Sequence, residues 1–122
     1  MIPPQVAQVT TTQDSGVFTV SVSGEVDVDA VGPFEEALAT ALRSTAHCTI
    51  VDISALTFAD STLLGLLLST KGAHESAGRA LAIAGPLRPW ADRLFTVTGT
   101  AEFLPLAEDL DAARRRAGCV GS

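Results

Sequence analysis

Apolar and small polar residues alternate through Val17, Phe18, Thr19, Val20, Ser21, Val22 and Ser23. A period of two over this length predicts a half-buried strand. Residues 6–12 are rich in β-branched side chains, and the cluster Gln13-Asp14-Ser15-Gly16 that follows them has turn composition, so the two segments predict a hairpin. Gly24-Glu25-Val26-Asp27 reads as the end of the second strand and the start of a loop. From residue 30 to 43 the period changes. Phe34, Leu38, Ala41 and Leu42 share one helical face while Glu35, Glu36 and Arg43 lie away from it. Pro33 suits a first turn, and Asp29 is the expected cap. Residues 47–53 form a near-continuous apolar run, the mark of a strand buried on both faces. Residues 54–60 read as a connection. A helix is predicted over 62–77, capped by Ser61, stopped by Gly78, with Leu64, Leu67 and Leu68 toward the sheet. A further strand (79–84), broken by Gly85-Pro86, precedes a helix over 89–97, an extended piece over 102–106 and a last helix over 110–116.

The order ββαβαβαβα predicts an α/β fold. Its sheet is mixed and four- to five-stranded, starting antiparallel and continuing through parallel crossovers, with helices packed on it. The 122 residues, 47% hydrophobic and 18% charged, suit one domain spanning 1–122, with a core over about 6–116 and short tails. The net charge of −6 argues against a nucleic acid or an anionic membrane surface as partner. The N-terminus lacks the basic-then-apolar run of a signal peptide, and the greasiest stretch, 63–68, is far short of the ~20 residues that span a bilayer. A cytoplasmic location is therefore expected. Cys48 and Cys119 form no CxxC and no cluster with histidine at metal spacing, so neither a metal nor another cofactor is expected.

Enzymatic chemistry finds little support. No G-x-S-x-G elbow surrounds Ser61, and the glycine-rich phosphate loops are absent. His47 and His74 read as surface residues, Asp27 and Asp29 as a turn and a cap, and Arg114-Arg115-Arg116 as a solvated helix end. Trp90 reads as core or lid in preference to a ligand platform, with core favoured. The segment Asp60-Ser61-Thr62 is different, because it opens the most apolar helix in the chain. Its hydroxyls serve either as simple caps or as phosphate acceptors, since the N-terminal end of a helix stabilises an anion.

The run Phe58-Ala59-Asp60-Ser61-Thr62-Leu63-Leu64-Gly65 followed by aliphatics resembles the signature of the STAS domain of bacterial anti-sigma factor antagonists. Gly24-Glu25-Val26-Asp27, Val51-Asp52-Ile53-Ser54, residues 79–83 and Val97-Thr98-Gly99 match further pieces of that family in order. The resemblance implies a non-catalytic regulator of transcription that binds an anti-sigma factor acting also as a Ser/Thr protein kinase. Phosphorylation at Ser61 switches it off and a phosphatase resets it. Thr62 is the alternative acceptor. The switch loop implied comprises Gly24, Glu25, Asp27, Asp60, Thr62 and Leu63, in a monomer or weak dimer. Leu63 stands where the family carries glycine; it is either an apolar anchor for a partner or packing beneath the helix. The other readings are a non-switching scaffold or nucleotide-sensing module of the same family and, more remotely, a small serine hydrolase using Ser61.

Overall fold

The structure, a computed structural model, describes residues 7–28 and 31–116. Strands β1 (Gln8–Asp14) and β2 (Val17–Val26) form the expected hairpin. Ser15 and Gly16 between them both have positive φ, 53° and 79°. A two-residue loop of this kind matches the twist of the flanking strands. Gly16 also accepts the His47 N–H at 3.0 Å, and a β-carbon at Gly16 would run into the His47 ring. Helix α1 (Gly32–Arg43) leads to β3 (Cys48–Ala59), α2 (Ser61–Ser76), β4 (Ala80–Ala84), α3 (Pro89–Val97), β5 (Leu106–Ala107) and α4 (Leu110–Arg116). The five strands lie in the order β1-β2-β3-β4-β5, antiparallel at the first pair and parallel thereafter.

The alternation along β3 divides the core. Val51 and Ile53 face the larger cluster, which includes Phe34 and Leu38 of α1, Leu63 and Leu67 of α2 and Phe95 of α3. Cys48 and Ile50 face the smaller cluster, with Val17, Ala82, Ala84 and Ala113 of α4. The central strand is thus buried on both faces, as its apolar run predicts. Cys119 lies outside the described residues.

Several boundaries differ from expectation for physical reasons. Residues 54–59 belong to β3, so the connection to α2 is Asp60 alone. The register against β2 jumps between Ser21 and Ser23 and again between Gly24 and Glu25, each time with one extra residue on β3. Bulges of this kind break the period of two and disguise a strand as a loop. Asp52 sits at the first irregularity, where its Oδ1 accepts the Ser54 N–H at 3.0 Å and the Ser54 hydroxyl at 2.7 Å. On the partner strand, β2 runs through Gly24, whose φ is 84°, to Val26. Helix α1 begins at Gly32, with Val31 in the cap position and no side-chain cap; the expected cap Asp29 lies outside the described residues. The extended piece expected over 102–106 reduces to Leu106–Ala107.

The buried stripe of α2 is Leu63, Leu64, Leu67, Thr70 and His74, whereas Leu68 is 39% exposed. His74 is not a surface residue. It is fully buried, its Nε2 3.0 Å from the Thr49 hydroxyl and its Nδ1 2.8 Å from the Thr70 carbonyl oxygen. His47 is exposed, as expected.

Candidate functional site: the Ser61 edge of the sheet

Parallel pairing of Val26 with Ala59 brings the next residue of each strand, Asp27 and Asp60, to the same edge of the sheet. Asp60 is the N-cap of α2. Its Oδ1 accepts the Thr62 N–H at 2.9 Å, and its carbonyl accepts the Leu63 N–H at 3.1 Å. Hydrogen bonding from the Thr62 side chain, and next from its backbone, holds the Asp60 carboxyl below its ordinary value of 3.8. Asp60 is therefore an anion at neutral pH.

The expected cap, Ser61, is instead the first residue of the helix, and its side chain is exposed. The cap role falls to Asp60 because a carboxylate in extended backbone reaches the second amide ahead of it. Thr62 is half-buried. Leu63 is fully buried in the larger core cluster, so it offers a partner no anchor and the packing alternative holds. Gly24 is buried within β2 beside Leu56, while Glu25, paired with Phe58, and Asp27 are exposed. Asp27, Asp60 and Ser61 thus gather at one edge, with Glu25 close behind.

A groove of about 700 Å³ opens beside this edge. Phe58, Asp60 and Ser61 line one side, and Trp90, Arg93 and Val97 of α3 line the other. The Phe58 and Trp90 rings lie 6.1 Å apart at 32°. Phe58 is 52% and Val97 77% exposed. Trp90 is half-buried: it packs against the larger core cluster, as expected, and also forms a wall of the groove. Sequence reasoning missed the groove. The available signal was the spacing 90, 93, 94, 97, which puts these residues on one face of α3. A larger cavity of about 980 Å³, bordered by Pro86, Leu106, Glu108 and Ala112, contains none of the expected site residues.

Both histidines are remote in role from Ser61. His47 precedes β3 at its opposite end, roughly 36 Å away along a strand of this length. His74 is committed to Thr49 and Thr70 inside the core.

This fold corresponds to a known class. Residues 9–115 match the family described as "Mlab, STAS domain", and the chain belongs to the STAS domain family. Among its relatives is the anti-sigma-B factor antagonist of Staphylococcus aureus strain NCTC 8325, 33% identical over 99 residues, covering 81% of this chain and 90% of the relative. The crystal structure of an anti-sigma factor antagonist from Mycobacterium paratuberculosis is similar across 97% of this chain and 99% of that one, with a TM-score of 0.77 and 27% identity. The anti-sigma factor antagonist SpoIIAA in its unphosphorylated form shares the fold, with a TM-score of 0.73 at 22% identity over 93% of this chain and 99% of that one. Among the described residues, no helix is long and apolar enough to cross a membrane.

Proposed function

We propose that this chain is an anti-sigma factor antagonist. It captures an anti-sigma factor that is also a serine kinase, and phosphorylation at Ser61 ends the capture. The observation that carries this reading is the exposed Ser61 hydroxyl at the first turn of α2, beside a groove with apolar walls. Unmodified, the edge offers Phe58, Trp90 and Val97 for docking. The partner supplies ATP. The Ser61 oxygen attacks the γ-phosphorus, ADP departs with the bridging oxygen, and the hydroxyl proton is released. The phosphate adds about −1.5 to −2 charges beside the Asp60 carboxylate, on a chain already at net −6. Weakening the complex by one to two decades requires about 1.4–2.8 kcal/mol, within the cost of one uncompensated charge at an interface. Removal of the phosphate by a phosphatase restores binding, and the freed sigma factor directs transcription.

Ser61 is favoured over Thr62 as acceptor because Thr62 is half-buried and its amide serves the cap. The cycle requires no cofactor on this chain and operates in the cytoplasm with a monomer or weak dimer. Affinity capture from native cytosol, read by mass spectrometry, tests the reading. It is supported by a bound serine kinase and by phosphate on Ser61 in the unbound fraction. Phosphate confined to Thr62, or capture of a kinase that binds phosphorylated and unmodified chain alike, would refute it.

A further inference from the structure

We propose that Arg93 is the internal counter-ion of phosphorylated Ser61. The pair draws the phosphate across the groove and covers the Phe58–Trp90 surface. This rests on Ser61 being the modified residue.

Ser61 of α2 and Arg93 of α3 line the same groove. Arg93 is its cation and Asp60 its carboxylate among the lining residues. The first-turn amides that would ordinarily receive an anion are engaged: the Thr62 N–H by the Asp60 side chain and the Leu63 N–H by the Asp60 carbonyl. A phosphate on Ser61 therefore meets a carboxylate on the helix side and a cation on the other.

Arg93 is exposed and, among the described residues, is in no ion pair; the pair found there is Lys71–Glu75, at 2.5 Å. Its guanidinium presents a fork that matches two phosphate oxygens. Trp90, one turn earlier on α3, has a buried Nε1 with no acceptor among the described residues. The same wall thus holds an exposed cation outside any described ion pair and, beneath it, a buried N–H that has no acceptor among the described residues. Trp90 and Arg93 stand three residues apart on α3, a spacing that places them on one helix face, where a guanidinium can meet an indole ring to the advantage of both. Phosphorylation then acts twice, by adding charge at the docking edge and by shielding the apolar residues beside it.

The test uses the full chain with phosphoserine installed at position 61 during synthesis and no partner present. It therefore reads the ion pair independently of whether a kinase uses Ser61 or a partner responds to it. Phosphorus NMR titration gives the second pKa of the phosphate. It should lie about one unit lower in the wild type than in Arg93→Gln, where the Asp60 carboxylate faces the phosphate without the cation and raises the value. Acrylamide quenching of Trp90, the single tryptophan, should fall on phosphorylation in the wild type and not in Arg93→Gln. Arg88→Gln is the control, because Arg88 caps the same helix outside the groove. It should leave both readouts at wild-type values. Equal phosphate pKa values in wild type and Arg93→Gln, quenching unaffected by the phosphate, or an Arg88→Gln effect as large as that of Arg93→Gln would each overturn the inference.

Discussion

Replacing Leu63 with glycine, the residue that the resemblance implies at this position, should cripple the fold instead of improving the switch. Leu63 is completely buried, in contact with the cluster that joins α1, α2 and β3. Truncation to alanine removes three carbons, about 2.4 kcal/mol at ~0.8 kcal/mol for each buried methylene. The cavity left behind brings the expected loss to about 2–5 kcal/mol. Glycine adds about 1 kcal/mol for its freedom in the unfolded chain. Leu63→Gly should therefore cost about 3–6 kcal/mol, a large share of the 5–15 kcal/mol that holds a domain of this kind together. Urea unfolding followed by far-ultraviolet circular dichroism measures both variants on one scale. Leu63→Met, which preserves volume, should cost less than about 1.5 kcal/mol and leave partner affinity unchanged. A loss below about 1 kcal/mol for Leu63→Gly would refute the assignment to the core. So would a collapse of affinity in a stable Leu63→Met protein, which would return Leu63 to the role of docking anchor.

On the same helix, Leu67→Ala should cost about 2–5 kcal/mol in urea unfolding and Leu68→Ala about 1 kcal/mol or less, because Leu68 is part-exposed; equal losses would contradict the face assigned to α2. Ser61→Ala should change stability by no more than about 0.5 kcal/mol, whereas Asp60→Ala should visibly lower the melting temperature, since the cap contact belongs to Asp60. Burial, and secondarily the charge of Arg79, hold the His74 pKa below 6.5. The folded state thus favours the neutral ring: its contribution is complete above that value and is lost as pH falls through the lowered one. Unfolding free energy should drop as pH falls below 6.5, and His74→Gln should flatten that slope; an unchanged slope would show that another group titrates.

The parts of the fold that were legible in the sequence are those where period and burial agree. Val17 to Ser23 alternates and is a half-buried strand, and α3 and α4 have the limits that their punctuation implied. Where two irregularities interrupt β3, its second half lost the alternation and read as a loop. The run of leucines at the start of α2 carries no polar position to orient it, so the pattern alone points Leu68 inward and does not decide Leu63. Nothing about His74 in one dimension reveals that Thr49, 25 residues away, supplies its hydrogen bond. The candidate site divides in the same way. Asp60, Ser61 and Asp27 were legible from motif and spacing. The groove was not, because Phe58 and Trp90 come from separate elements that only the packing of α3 beside the end of β3 brings to 6.1 Å.

The central claim is that the charge state of Ser61 sets affinity for the anti-sigma partner. Calorimetric titration of the captured partner with unmodified chain and with chain carrying phosphoserine at position 61 measures it directly. The account predicts a dissociation constant weaker by about 10- to 100-fold for the phosphorylated chain, with both proteins equally folded by circular dichroism. Equal affinity for the two forms would contradict it.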